Sequence, residues 1–316
     1  MSLATPLARL VGIVLAIAAS STTALAQHGG PGGPPLGGPL FKILGAVGSA
    51  IAGINQEAVY AYESLPRQGT CEERRERMLA MLPDALMLAR YAHDVYEKGH
   101  ENELREAQQT TRQLGEDHAA HYDPKGGRYA EVRIDTKLRR ALVVFRGTRL
   151  DVRSDLTTNV LNFVGIETAY YEWAASLVAS VKRANPGFGI VATGHSLGGG
   201  LALFAVLRTP GVKAIVFNPS GLSEGAWRAA SAEDRDRTNA SVTVVSLRNF
   251  WAIEPVTALS LAGRSVLPGH IFVLQASALR PAKLHTAGLI LDALQQASAK
   301  HAAGSACEGD LGVIVE

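Results

Sequence analysis

The feature that most constrains the fold of this chain is the heptapeptide GHSLGGG at residues 194–200, which lies between two apolar runs. A strand that turns sharply into a helix around a central serine forms a nucleophile elbow and holds the serine hydroxyl exposed. Any Cβ at Gly194 or Gly198 would crowd the approach of strand and helix. We therefore predict that Ser196 is a nucleophile. The alternative is an ordinary glycine-rich turn.

A second motif, VVFRGT at residues 143–148, lies upstream and predicts a buried strand that ends in a loop. In open α/β sheets, reacting groups collect at the carboxyl ends of strands, so we expect Thr148 and Ser196 to face one crevice. Acyl transfer requires N–H donors for the oxyanion. We assign this role to the backbone N–H of Leu197 and to the N–H and hydroxyl of Thr148. The alternative for Thr148 is an ordinary residue at the end of a strand.

The pairing of VVFRGT with GHSLGGG, with Asp155 shortly after the threonine, resembles the class 3 (fungal-type) triacylglycerol lipases of the α/β-hydrolase superfamily. Softer matches are VFNPSG at 216–221 and GHIFVL at 269–274. The resemblance implies an α/β-hydrolase fold, which is a mostly parallel central sheet with helices on both faces. It also implies hydrolysis of carboxylic esters, often of lipids, with no cofactor and no metal.

The base and the acid should follow the serine in the order acid, then histidine. Two histidines, His270 and His285, lie far enough downstream. His270 opens the apolar run of a predicted strand, whereas His285 precedes a segment whose apolar spacing suits a terminal helix. The family places its catalytic base just before such a helix, so the resemblance implies His285.

The acid is expected after the predicted strand at 241–247. The family has an aspartate shortly before a stretch rich in valine and proline, and the resemblance therefore implies Glu254, which precedes Pro255. This chain departs from the family in carrying glutamate and a longer loop. Glutamate suffices, because the acid only accepts the imidazole N–H and stabilises the imidazolium. Asn249 is the rival by its distance from the strand, and a surface carboxylate beside a turn proline is the other interpretation of Glu254.

The amino-terminal residues predict export. Arg9 precedes an apolar stretch at 10–19, and small residues then lead to Ala26, which is the layout of a secretory signal cut after that alanine. The predicted location is secreted or periplasmic. The predicted divisions are a signal peptide at 1–26, a Gly/Pro-rich linker with a short apolar segment at 27–70, and a catalytic domain at 71–316.

Composition limits the partners and cofactors. With a net charge of +2 and no basic patch, the chain is not expected to bind nucleic acid. The expected partner is a small-molecule or lipid ester substrate, with transient contact to a membrane or lipid interface. His118 and His121 are assigned to a solvated loop rather than a metal site. In an oxidising compartment Cys71 and Cys307 predict one disulfide, with two free thiols as the alternative.

These residues predict an exported serine hydrolase that cleaves carboxylic esters through an acyl-enzyme, as a triacylglycerol lipase or carboxylesterase. The same triad would serve a phospholipase A1, a thioesterase or a peptidase. A rival from another class is an inactive envelope binding protein on a hydrolase scaffold. The family also places a mobile lid between Thr148 and Glu167, where a permanently packed connection is the alternative. Phe250 and Trp251 would line an acyl site or belong to the core.

Overall fold

A computed structural model of the chain covers most of the predicted catalytic domain. The predicted signal peptide at 1–26 and the predicted lid segment after Thr148 lie outside the described residues. Within the described part of the chain, no helix is both long and apolar enough to cross a bilayer. The described residues are 53, 56–64, 69–97, 117–123, 128–147, 168–249, 253–261, 265–276, 284–302 and 313–314.

Among the described residues, eight strands form one central sheet. In chain order the strands are β1 (Asp117–Asp123), β2 (Arg128–Asp135), β3 (Arg140–Phe145), β4 (Gly189–His195), β5 (Val212–Phe217), β6 (Val242–Arg248), β7 (His270–Gln275) and β8 (Val313–Ile314). They lie in the sheet in that same order. β1, β2 and β3 are antiparallel neighbours, β3 to β7 run parallel, and β8 is antiparallel to β7.

Helices cover both faces of the sheet. Residues 56–64 are helical. The helices that follow are α1 (Cys71–Glu97), α2 (Thr168–Ala184), α3 (Leu197–Arg208), α4 (Glu224–Ala229), α5 (Ala232–Ser241), α6 (Pro255–Leu261) and α7 (Ala287–Ala302). Each parallel connection moves the chain one strand further in the same direction. Because such connections are right-handed, α2, α3 and α5 share one face, where α3 packs against both of the others. α1 and α7 pack together on the opposite face. The predicted fold class is confirmed.

Two apolar layers sandwich the sheet. Val143 on β3 packs with α2 and α3, whereas its neighbour Leu142 packs with α1 and α7. Successive strand residues point to opposite faces, so a strand covered on both sides must be apolar throughout. This explains why residues 142–145 and the run before GHSLGGG read as continuous apolar segments. Full burial of each such side chain contributes about 1.5–3 kcal/mol to stability.

The assignment of His118 and His121 to a solvated loop is wrong. These residues lie in β1, which pairs along its length with β2 at the edge of the sheet. An edge strand is held by backbone hydrogen bonds on one side only, and polar side chains are common there because they discourage pairing with another chain. Because the sequence of β1 is polar, it lacks the apolar pattern from which a strand would be predicted.

Candidate active site

Ser196 lies in the sharp turn between the end of β4 and the start of α3, as predicted. Its backbone dihedrals are φ 59° and ψ −125°, in a region that a residue with a Cβ rarely adopts and that costs about 1–3 kcal/mol. The surroundings hold it there. Its N–H donates to the carbonyl of Phe217 (3.1 Å), and its carbonyl accepts from the N–H groups of Gly200 (3.2 Å) and Ser220 (3.0 Å).

Gly194 and Gly198 allow β3, β4 and α3 to meet at this turn. A Cβ on Gly194 would lie 2.8 Å from the carbonyl oxygen of Phe145, and a Cβ on Gly198 would lie 2.9 Å from the Phe145 carbonyl carbon. Real Cβ atoms essentially never approach so closely, and the obstacle is backbone rather than a flexible side chain. The predicted steric role of both glycines is confirmed.

Replacing Gly198 with alanine is expected to lower the free energy of unfolding by about 1–3 kcal/mol, because the new methyl group overpacks a rigid contact. Urea unfolding measures this. Gly225→Ala is the matched control, since its Cβ would meet no atom within 4 Å, and alanine in a helix should stabilise by about 0.5–1 kcal/mol relative to glycine. Equal stability changes in the two variants would contradict the role of Gly198.

The structure brings His285 to the serine. The His285 Nε2 lies 2.8 Å from the Ser196 Oγ. His285 lies in a short helical turn directly before α7, and its side chain is 22% exposed, so solvent reaches part of the ring. His270, the other candidate, is the first residue of β7 and pairs with Thr243. Because the elbow lies at the carboxyl ends of the parallel strands, His270 lies at the opposite end of the sheet.

Glu254 completes a line of three side chains. Its Oε1 lies 2.6 Å from the His285 Nδ1, and its carboxylate has no solvent exposure. Three further donors point at this carboxylate, namely the N–H of Val256 and the N–H and hydroxyl of Thr257, each at 2.8 Å. The N-terminus of α6 adds a favourable field. Such donors stabilise a negative charge on Glu254, and the interpretation as a surface carboxylate is wrong.

The longer loop does not move Glu254 away from the strand. Arg248 and Ile253 form an antiparallel bridge, and the Glu254 N–H donates to the carbonyl of Leu247 at 2.8 Å. The chain therefore returns to the end of β6 before α6 begins. Pro255 suits the first helical position, because its fixed φ fits a helix and no N–H is needed there. Asn249, the rival, is buried at the end of β6.

The backbone N–H of Leu197 belongs to the first turn of α3, where N–H groups have no intrahelical partner. Thr148, the other predicted oxyanion donor, lies outside the described residues. Gly147 is the last described residue before it, and a Cβ there would lie 2.7 Å from the carbonyl oxygen of His195. The end of the VVFRGT strand therefore packs directly against the elbow.

Tyr96, on α1, contacts both sides of this junction. Its hydroxyl donates to the His195 carbonyl at 3.2 Å, and it lies so close to Gly147 that it would obstruct a Cβ there. The His195 Nδ1 lies 3.3 Å from the same hydroxyl. Nothing local in the sequence distinguishes Tyr96 from the other tyrosines of the chain, so its contact with the elbow could not be predicted.

His195 packs against the proposed base, with its ring centroid 4.8 Å from that of His285. Burial, and then the positive field of His285, lower the pKa of His195 well below its usual value. A neutral His195 does not repel a proton on His285. His195 lies within GHSLGGG, but the motif alone did not indicate a role for it.

Several predictions concern residues outside the described ranges. The Cys71–Cys307 disulfide receives no support, because Cys307 is among these residues and no disulfide is found within the described part. Phe250 and Trp251 also lie outside it. Within the described ranges, no group of three or more His, Cys, Asp or Glu side chains could hold a metal ion.

Comparison with known proteins places this arrangement in a family. The family model described as phospholipase-like, Tle-like phospholipase domain, matches residues 87–306, which is more than half of the chain. The chain belongs to this family. Its match contains the elbow, Glu254 and His285, and it confirms the resemblance to lipase-like α/β-hydrolases.

A curated relative is the extracellular phospholipase A1 of Serratia liquefaciens, which is 38% identical over 113 residues. The match covers 35% of this chain and 33% of the relative, so the chain spans about a third of that protein's length. Solved structures that resemble this chain include lipase II from Rhizopus niveus, with 17% identity and a TM-score of 0.41. That alignment covers 61% of this chain and 80% of the lipase. Another is the lipase from Rhizopus microsporus var. chinensis, with 16% identity and a TM-score of 0.42 over 61% of this chain and 74% of that lipase.

Proposed function

We propose that this protein is an exported serine hydrolase that cleaves the acyl ester bonds of lipids, with phospholipids as its substrates. The observation that carries the proposal is the unbroken hydrogen-bonded line from the Ser196 hydroxyl through His285 to the buried carboxylate of Glu254. This is the arrangement that converts a serine hydroxyl into a nucleophile. The phospholipase-like family and the phospholipase A1 relative support the choice of substrate.

The reaction proceeds in two halves. The Ser196 Oγ attacks the ester carbonyl carbon, and the His285 Nε2 takes the hydroxyl proton. Glu254 accepts the His285 Nδ1–H and stabilises the imidazolium. The N–H of Leu197, together with the sequence-assigned donors of Thr148, stabilises the oxyanion. As the C–O bond of the ester breaks, His285 returns the proton to the leaving alcohol and an acyl-serine remains.

Water completes the cycle. His285 takes a proton from a water molecule as that water attacks the acyl carbonyl, and the proton then returns to the Ser196 oxygen as the fatty acid leaves. The enzyme is regenerated without an external oxidant, reductant or cofactor. Export is part of the proposal because of the predicted signal peptide at 1–26, and the name of the Serratia relative calls that protein extracellular.

A substrate panel tests the proposal. The enzyme is recovered from the exported fraction, where an amino terminus at Gln27 checks the predicted cut, and is assayed on phosphatidylcholine and triolein in matched mixed micelles. We expect kcat/KM for the phospholipid to be at least about tenfold higher, a difference of about 1.4 kcal/mol in transition-state binding. A preference for triolein would instead support the triacylglycerol lipase that the class 3 resemblance implies. Hydrolysis of neither lipid would refute the proposed function.

A further inference from the structure

The segment VFNPSG at 216–221, which begins with the last two residues of β5, lies between the nucleophile and the base. The carbonyl of Phe217 accepts from the Ser196 N–H at 3.1 Å, and the N–H of Ser220 donates to the Ser196 carbonyl at 3.0 Å. The peptide groups on both sides of the nucleophile are therefore held by this one segment. Any shift of the segment would move the Ser196 Oγ.

Asn218, between these two contacts, is fully buried and reaches the base. Its side-chain Nδ2 donates to the carbonyl of Leu284, the residue before His285, at 2.8 Å. Its Oδ1 accepts from the Leu247 N–H (3.2 Å) and from the Ser246 hydroxyl (3.1 Å) on β6. One amide thus connects the nucleophile's segment to the base's turn and to the strand that precedes the acid.

The same network reaches the acid by a second route. The Ser246 hydroxyl lies 2.6 Å from the Thr257 hydroxyl, which donates to the Glu254 Oε2 at 2.8 Å. The Glu254 Oε1 then contacts His285. Buried polar contacts therefore connect Asn218 to His285 by two routes, one through the backbone carbonyl of Leu284 and the other through Ser246, Thr257 and the carboxylate of Glu254.

We propose that Asn218 is a positioning residue that sets the separation between the Ser196 Oγ and the His285 Nε2; the inference rests on the proposed function. Asparagine meets two demands at this position. Its backbone φ is 41°, in the left-handed region that asparagine tolerates better than most residues. Its side chain supplies a donor for Leu284 and an acceptor for β6 in one planar group. Aspartate would lose the donor, and glycine would lose both.

The first test is Asn218→Gly, which keeps the left-handed backbone and removes the donor to Leu284. Displacement of a catalytic group by about 1 Å can cost about 10²-fold, and we expect kcat to fall by about that factor while KM changes less than twofold. The rate constant for labelling of Ser196 by a fluorophosphonate should fall in parallel. The labelling end point counts the folded active centres, so a loss of protein is separated from a loss of rate.

Thr238→Val is the matched control. It also removes a buried side-chain hydrogen bond, from the Thr238 hydroxyl to the Asp234 carbonyl at 2.7 Å, but within α5 and away from the base. Its kcat and labelling rate should equal those of the parent protein. If Asn218→Gly also matches the parent in both rates, Asn218 does not position the base and the inference is overturned.

Asn218→Asp isolates the donor. An ionised aspartate would face the Leu284 carbonyl with no hydrogen to donate, whereas a protonated carboxyl can donate. Burial favours the protonated form, so this variant should keep more activity than Asn218→Gly, and its kcat relative to the parent should rise as the pH falls. The corresponding ratio for Asn218→Gly should not change with pH. Equal losses in both variants at every pH would overturn the role of the donor.

The labelling rate separates the two proposals. If the parent protein is labelled at Ser196 but hydrolyses no lipid, the proposed substrate is wrong, and the labelling rates of the variants still test Asn218. If the parent hydrolyses phospholipid and Asn218→Gly is labelled at the parent rate, the proposed function is supported and the positioning role of Asn218 is overturned.

Discussion

Replacing Ser196 with alanine is expected to lower kcat for phospholipid hydrolysis by about 10⁶. The reason is chemical rather than structural. Alanine at the elbow keeps the Cβ and the backbone contacts with Phe217 and Ser220, but it removes the only atom that His285 can activate there. Any remaining rate comes from substrate binding and oxyanion stabilisation, which act even without a nucleophile.

The control for this substitution is Ser180→Ala, which removes an exposed serine hydroxyl from α2 and should leave kcat unchanged. Stability should change little in either variant, which thermal unfolding checks. Fluorophosphonate labelling should mark the parent protein and leave Ser196→Ala unlabelled. Near-normal hydrolysis by Ser196→Ala would refute the mechanism. Absence of labelling in the folded parent would favour the inactive envelope binding protein.

The elbow could be predicted because its constraints are local. The requirement for glycine at 194 and 198 comes from a close approach within one strand-turn-helix unit, and the sequence shows that unit directly. The contact between Ser196 and His285, by contrast, is not a local constraint. They lie 89 positions apart in the chain, and only the resemblance to lipases predicted that they meet.

Counting residues could not select Glu254 over Asn249, and the prediction of Glu254 came from the resemblance. Counting residues from the end of β6 favours Asn249, because a count takes every residue as one step further from the strand. The antiparallel bridge between Arg248 and Ile253 turns the chain back, so that Glu254 lies at the end of β6. Such a bridge forms between two backbone segments, and no residue type in the loop indicates that they pair.

Other features of the site arise from packing between distant elements. Tyr96 reaches the elbow only because α1 crosses the face of the sheet opposite α3. Asn218 reaches Leu284 only because the turn before α7 lies over the end of β5. Asparagine after a strand more often indicates a turn, so its residue type alone did not point to a buried contact with the base.

Replacing Glu254 with glutamine should lower kcat by about 10⁴, the second largest effect that we predict. Glutamine has nearly the same shape but no charge to stabilise the imidazolium. If the amide nitrogen of glutamine faces His285, it donates to Nδ1. The ring proton must then lie on Nε2, and Nε2 can no longer accept from the Ser196 hydroxyl. KM should change little, because Glu254 is fully buried and does not reach the substrate.

The cost in stability can be predicted from the same contacts. Each oxygen of Glu254 accepts from a backbone N–H, one from Val256 and the other from Thr257. The amide nitrogen of glutamine must replace one of these acceptors, which leaves a buried donor unpaired and costs about 1–3 kcal/mol. Denaturant unfolding measures this loss, and fluorophosphonate titration allows kcat to be expressed per folded site.

Glu224→Gln supplies the matched comparison, because Glu224 is also a glutamate at the start of a short helix but is exposed. Its substitution should change neither kcat nor stability measurably. Suppose instead that Glu254→Gln keeps kcat within tenfold of the parent while Ser196→Ala is inactive. The nucleophile would then be correct and the acid wrong, and the group that orients the His285 imidazole would have to be sought elsewhere, with Asn249 first because it directly follows β6. The two variants together therefore separate the identity of the nucleophile from the identity of the group that supports its base.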